Sequence, residues 1–354
     1  MITIVFCGDL MYCPYIKRYT ERLDLHNIEY EVLFWNRAGL QMQLPENYKF
    51  FDLQSDTGRN PLNKLTDFRK FRYWLKKCIK NDNPDKLIIL STMSGMVIAD
   101  LLKSYKSKYI FDIRDYSYEH IRLFRKIESE IIKNSSFTSI SSEGFKEFLP
   151  DEEYVIAHNF NRNDMIDQMP FKRKPFPINL VWNGMVRYFE FQKKYIDALA
   201  NDSRFFMTYH GNGTDLGKYK KYCMDNNIKN VAFTGSYDNS EKAKLLSDAG
   251  ILNNCYGSRD DIKVKYAVSN RFYDALIYGI PQLVEPGGYK SNIIKKWNVG
   301  IDLNANEDFA DKLYKYYMEI DEKDFNLNCK KALQTIINED DVYINKIDEF
   351  IKTE

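Results

Sequence analysis

The sequence predicts an α/β protein made of two doubly wound domains. Three observations carry this. Strand-like and helix-like segments alternate along the chain, the alternation lapses once near the middle, and it then begins again. β-rich runs separated by helices call for parallel sheets covered by those helices. A chain of 354 residues is long for one core and suits two. Ligands of such sheets bind beyond the carboxyl ends of the strands, and two facing domains are expected to enclose a cleft.

In the first half, Ile2 to Phe6 and Tyr30 to Trp35 are β-rich, and Tyr15 to His26 has helical spacing between them. Leu62 to Asn81 forms a long basic helix, "DKLIILS" a buried strand, "SGMVIADLLKSY" a helix and "KYIFDI" a strand. Arg122 to Lys133 reads as helix, Ser136 to Ile140 as strand, "SSEGFKEFL" as a serine-capped helix and "EYVIAHNF" as a closing strand. The stretch 161–177 holds three prolines and no steady period, as expected of a connection. The expected organisation is a first domain over 1–165, a linker over 166–177, a second domain over 178–338 and a terminal helix over 339–354 packing back on the first domain. In the second domain "INLVWNGM", "RFFMTYHG", "NVAFTG" and "ILNNCY" read as strands, separated by helical segments.

Composition narrows the functional classes. Charged residues make up 29% of the chain, but the net charge is only +1, which argues against nucleic acid as the main partner. The six cysteines are scattered and form no CxxC pair, fitting a reducing cytoplasm rather than a zinc ribbon. The four histidines are dispersed and no Asp-x-Asp pair follows a strand, so no metal is expected. The opening "MITIVFCGDLMYC" contains Asp9 and lacks a basic leader, so it reads as a strand rather than a signal peptide. No apolar run is long enough to span a membrane. The segment Asn63 to Lys80 combines Lys and Arg with Phe68, Phe71, Tyr73 and Trp74. It is either a peripheral contact with an anionic membrane surface or a domain helix burying Leu65, Phe68, Leu75 and Ile79.

The candidate chemistry lies mainly in the second half. In "SNRFYDALIYGIPQLVEPGG", Phe272, Ala275, Leu276 and Gly279 fall at i, i+3, i+4 and i+7 and make a buried face. Ser269 or Asn270 can cap this helix, and Arg271 and Asp274 are expected to face away from the core near its N-terminus. Exposed amides and the helix dipole suit a phosphate there, and Asp274 is placed to accept hydrogen bonds from a ribose diol. An amphipathic helix with an Asp near its positive end would look the same. In "VWNGMVRYFEFQKK", Gly184 ends a strand, and Arg187 and Lys193 would neutralise a departing diphosphate. "HGNG" places His210 and Gly211 after another strand, where the backbone can approach a ligand closely.

These segments, in this order, resemble the donor domain of GT-B glycosyltransferases, particularly those of family 4. "DALIYGIP" is similar to that family's EA-x-A-x-G-x-P segment, "SNR" to the PNK or SNK that opens the same helix, and "NGMVRYFEFQKK" to the element carrying its diphosphate-binding Arg and Lys. "NVAFTGSYDNSEKAKLLSDAGILNN" resembles V-x-F-x-G…L-x-x-A-D-I, where the loop after the glycine borders the base. More weakly, "FDIRDYSYE", "ISSEGFKEFL" and "HNF" resemble segments of the acceptor domain.

The resemblance implies two Rossmann-like domains and transfer of a hexosyl unit from a nucleotide-diphosphate sugar, a UDP-sugar favoured, without metal or cofactor. The acceptor would be a saccharide or lipid-linked saccharide in bacterial capsule or other surface-polysaccharide synthesis. The implied donor set is Gly184, Arg187, Lys193, His210, Gly211, Gly235, Ser236, Tyr256, Ser269, Asn270, Arg271 and Asp274. The acceptor side would hold Gly8, Asp9, Asp115, His120 and His158, with Asp115 first among Asp9, Asp115, Glu119 and His120 as base and Arg187 and Lys193 assisting catalysis. Two departures stand out. Tyr266, eight residues before Asp274, replaces the family's first Glu, and the glycine-rich first loop is reduced to Gly8. Sugar and stereochemistry therefore stay open, as do two rivals: a sugar-nucleotide epimerase of the same fold and a non-catalytic partner subunit.

Overall fold

A computed structural model describes residues 1–55, 60–160, 162–257 and 261–353. They form two compact units, one of residues 1–158 and 338–354, the other of residues 159–337.

The first unit contains β1 (Ile2–Phe6), α1 (Lys17–Leu25), β2 (Tyr30–Asn36), β3 (Tyr48–Asp52), α2 (Pro61–Asp82), β4 (Lys86–Leu90), α3 (Thr92–Val97), α4 (Ala99–Leu102), β5 (Tyr109–Ile113), α5 (Arg122–Asn134), β6 (Phe137–Ile140) and β7 (Tyr154–Ile156). Its seven strands pair in parallel in the order β3-β2-β1-β4-β5-β6-β7. β1, β4 and β5 are buried along their whole length, which is why they read as continuous apolar runs.

The second unit contains β8 (Ile178–Asn183), α6 (Phe189–Leu199), β9 (Phe205–His210), α7 (Leu216–Asp225), β10 (Val231–Gly235), α8 (Lys242–Leu245), β11 (Ile251–Asn253), α9 (Ile262–Lys265), α10 (Asn270–Ile277), β12 (Gln282–Val284), α11 (Tyr289–Trp297), β13 (Gly300–Asp302) and α12 (Phe309–Glu319). Its parallel order is β10-β9-β8-β11-β12-β13. Each sheet therefore grows outward in both directions from its first strand, the Rossmann arrangement, and the chain reverses direction of growth between β8 and β11 in the second unit. The crevice beyond the carboxyl ends of those two strands is where such a sheet binds ligands.

Four features differ from the sequence expectation. The division falls after His158, earlier than residue 165. The stretch 166–177 is no loose linker, because Phe171 is buried in the second unit's core and the Met169 amide donates to the Ile277 carbonyl at 2.8 Å. Gly279 (φ +59°) permits that contact, since a Cβ there would lie 2.5 Å from the Met169 oxygen. The edge strand β3, to which the sequence reading assigns no element, has no clean inside–outside alternation. The terminal helix, α13 (Glu322–Lys352), starts well before residue 339. It gives Phe325, Cys329, Leu333 and Ile336 to one core and Tyr343, Ile347, Phe350 and Ile351 to the other.

Candidate functional site

The site is built from the carboxyl ends of β8, β9, β10 and β11 and from α10. Two glycines make the strand ends fit. Gly184 (φ +102°) turns the chain out of β8, and its amide donates to the His210 carbonyl at 2.9 Å. Gly211 (φ +130°) follows β9 so closely that a Cβ would stand 1.9 Å from the Gly184 oxygen, and its amide donates to the Gly235 carbonyl at 2.8 Å. No other residue type fits at 211 without moving β8 or β9. The His210 ring lies 2.9 Å from the Thr234 hydroxyl, and burial holds its pKa below the ordinary histidine value.

α10 departs from the expected amphipathic helix. Arg271 and Asp274 do not face away from the core: they are only 4% and 5% exposed. The polar side of α10 lies against the end of β8 and Tyr256, so both faces are covered and helical spacing alone misplaces these two side chains. The Arg271 guanidinium stacks 3.4 Å from the Trp182 ring centroid and 4.9 Å from that of Tyr256. Its Nε donates to the Asn183 carbonyl at 2.6 Å, while Nη1 is buried and, among the described residues, has no hydrogen-bond partner. Burial lowers its pKa, although a guanidinium stays charged. A buried charge with an unused donor is costly unless something anionic meets it. Among the described residues, no carboxylate forms an ion pair with Arg271.

Asp274 accepts from the Asn183 amide at 2.9 Å and from Lys242 Nζ at 3.1 Å. Tyr237 lies within its field: burial first, then the Asp274 charge, raises the phenol's pKa. Ser269 occupies the N-cap position of α10 without capping it, because its hydroxyl turns to Asn254 Oδ1 at 2.6 Å. Asn270, the first residue of α10, is exposed beside it.

Arg187 is exposed after β8, 4.7 Å from the Tyr188 ring centroid, and its charge is felt by Arg271. Lys193 is not brought to this group. It sits in the second turn of α6, where the helical rotation points it to Tyr222 of α7, 4.8 Å from that ring centroid. Gly235 ends β10, and Ser236 follows it, exposed. The sequence reading missed Trp182, Asn183, Tyr237, Lys242, Glu285 and Lys290. Lys290 bonds the Asn254 carbonyl at 2.6 Å and pairs with Glu285 at 3.3 Å, both side chains buried. Only the Lys242 position carried a legible hint, as part of the loop after "FTG".

The first unit holds the remaining candidates at its own strand ends. Gly8 and Asp9 follow β1; Asp9 is buried and accepts from the Ala38 amide at 2.9 Å, a loop-ordering role. Asp115 and His120 are exposed after β5, and His120 stacks 6.4 Å from Tyr116. Glu119 is buried and accepts from the Ser117 amide at 2.6 Å, and burial raises its pKa. His158 lies 2.6 Å from a carboxylate oxygen of Glu339 on α13.

No family model and no curated protein sequence matches the chain. Solved structures do. Sucrose-phosphate synthase from Thermosynechococcus elongatus superposes with a TM-score of 0.69 at 11% identity, covering 94% of each chain. The lipopolysaccharide outer core galactosyltransferase WaaB, in its apo form, gives 0.64 at 17% identity over 99% of each chain. HepE from Anabaena, in complex with UDP, gives 0.65 at 11% identity over 99% of this chain and 100% of its own. These are GT-B glycosyltransferases, and the chain has their fold: two Rossmann-like domains on one chain.

Proposed function

We propose that the chain is a glycosyltransferase of the family 4 type. It moves a hexosyl unit from a UDP-sugar, held by the second unit, to a saccharide or lipid-linked saccharide acceptor in surface-polysaccharide synthesis. The observation that carries the donor half is Arg271: a buried guanidinium with an unused Nη1, placed at the β8/β11 switch point beside glycines that open the backbone. Diphosphate is the anion this arrangement suits. The HepE structures with UDP and UDP-glucose support the choice of nucleotide.

In this reading the sugar's C1–O bond to the diphosphate breaks and a bond from an acceptor hydroxyl oxygen to C1 forms. The hydroxyl proton passes to a base, and Asp115 is the candidate. The leaving diphosphate gathers negative charge, which Arg271 and Arg187 offset. Asp274, already in contact with Asn183 and Lys242, takes the ribose hydroxyls. Capsule or lipopolysaccharide assembly is the biological setting proposed. Peripheral membrane contact through α2 belongs to the same proposal. On α2, Phe71, Leu75 and Ile79 face the core, whereas Leu62, Leu65 and Tyr73 are exposed; Tyr73 and Trp74, together with Phe51 of β3, line a groove with Arg69, Lys70 and Lys77. No helix among the described residues is long and apolar enough to cross a membrane.

Incubating the protein with radiolabelled UDP-glucose and UDP-galactose, with and without membrane glycolipid extracts, tests this. Acceptor-dependent transfer of label is expected. Conversion of donor alone to its epimer would contradict it and favour an epimerase.

A further inference from the structure

Asn183, the last residue of β8, serves two neighbours at once. Its backbone carbonyl accepts from Arg271 Nε at 2.6 Å, and its side-chain nitrogen donates to Asp274 Oδ2 at 2.9 Å. An ionised carboxylate can only accept, so the nitrogen must face Asp274 and the orientation of the carboxamide is fixed. Tyr237 meets the same amide. Burial and the Asp274 charge raise its pKa, and Asn183 works against them, as an N–H donated to the phenol oxygen does. The amide oxygen Oδ1 is therefore turned away from Asp274. It is buried in a residue only 6% exposed and, among the described residues, accepts no hydrogen bond. Arg271 Nη1, on the guanidinium anchored by the same Asn183, is a buried donor in the same condition. An unmet buried acceptor and an unmet buried donor on one anchor call for a ligand that answers both. The backbone beside them leaves room for it. A Cβ at Gly184 would meet only Arg271 Nη2, at 3.8 Å, and one at Gly235 would meet nothing within 4 Å.

Such a ligand carries an anion and, close to it, a hydroxyl that can donate. In a nucleoside diphosphate that hydroxyl belongs to the ribose, which adjoins the α-phosphate. Each Asp274 oxygen already accepts one hydrogen bond, from Asn183 or from Lys242, so a second acceptor can share the ribose diol with it. We propose that Asn183 is a specificity-determining residue: its Oδ1 accepts one ribose hydroxyl while Asp274 accepts the other, so the site takes ribonucleotides and rejects their deoxy counterparts. This rests on the reading that the second unit binds a nucleoside diphosphate. A ligand lacking the hydroxyl that Asn183 reads leaves Oδ1 buried and unmet, which is what makes such a site selective. A residue that merely propped Asp274 would behave differently, since its loss would blunt the reading of both hydroxyls together.

The test is calorimetric titration of UDP, 2′-deoxy-UDP, 3′-deoxy-UDP and inorganic pyrophosphate into wild type and Asn183→Ala. Wild type is expected to bind each deoxy analogue about tenfold or more weakly than UDP. In Asn183→Ala the deficit of one analogue is expected to shrink to within about threefold of UDP while that of the other persists. Pyrophosphate is expected to bind as it does to wild type, because the backbone carbonyl that anchors Arg271 remains. Wild type that binds either analogue as tightly as UDP overturns the inference. So do deficits that Asn183→Ala leaves unchanged, deficits that vanish together, and a matching loss of pyrophosphate, which would trace the effect to Arg271. If Asn183→Ala does not fold, Asn183→Leu, which keeps the volume, replaces it, and the wild-type titrations remain decisive against the inference on their own. Failure of the underlying reading is seen separately: wild type that binds neither UDP nor pyrophosphate, or UDP binding that Arg271→Met leaves unchanged, refutes the donor site itself and the inference with it.

Discussion

Replacing Arg271 by Met puts the donor site to its most direct residue-level test. Met retains much of the packing on Trp182 and removes a buried charge, so the folded state loses little. The Asn183 carbonyl loses its 2.6 Å donor, which costs about 1 kcal/mol and a few degrees in Tm. The ligand loses more. One hydrogen bond from Nη1 to a phosphate oxygen is worth about 1.5–3 kcal/mol, and at about 1.4 kcal/mol per decade the Kd for UDP rises about 10- to 150-fold. Isothermal titration on both proteins reads the Kd, and thermal melts confirm that the variant is folded. A folded variant with wild-type affinity would show that the unused donor faces no ligand and would refute the reasoning from burial to anion.

Other outcomes are expected on the same account. Asp274→Ala should weaken UDP by roughly 1–3 kcal/mol, read by calorimetry, with the free base and pyrophosphate unaffected. Transfer in the presence of EDTA should stay within about twofold of the untreated rate if arginines carry the diphosphate charge; abolition by EDTA would contradict metal independence. Liposome flotation with anionic lipid should retain wild type and lose an Arg69/Lys70/Lys77 charge-reversed variant. Glu128, buried in α5, has its pKa raised to about 8 by burial first and then by Glu119. The native state holds that proton while the unfolded state has released it, so this group's contribution is fully present below the ordinary Glu pKa and is lost as pH rises through about 8. Glu128→Gln should therefore lose less Tm than wild type between pH 5 and 8; parallel Tm profiles would contradict this.

The fold was legible because its strands are buried on both faces and its helices keep their period: β8, β9 and α6 stand out from composition alone. β3 was not, because an edge strand with mixed exposure carries no alternation. The site was legible only in part. α10 announced itself through its spacing and turn residues, yet the spacing wrongly placed Arg271 and Asp274 on an open face. Helical period says which residues share a side, not what lies against it, and here Trp182 and Tyr256 cover the second side. Lys193 illustrates the same limit: six positions from Arg187 in sequence, it turns with α6 toward Tyr222. Lys242, Glu285 and Lys290 come to the site from α8, the end of β12 and α11, juxtapositions that no local pattern encodes.

The central claim is that the second unit binds a nucleoside diphosphate and its sugar. Calorimetric titration of the wild-type protein with UDP, UDP-glucose, GDP and ADP tests it most directly. The account predicts one binding site for UDP and UDP-glucose, with a rise in Tm by mass action as ligand is added. Absence of binding and of any Tm shift with all four, up to millimolar concentration, would contradict it.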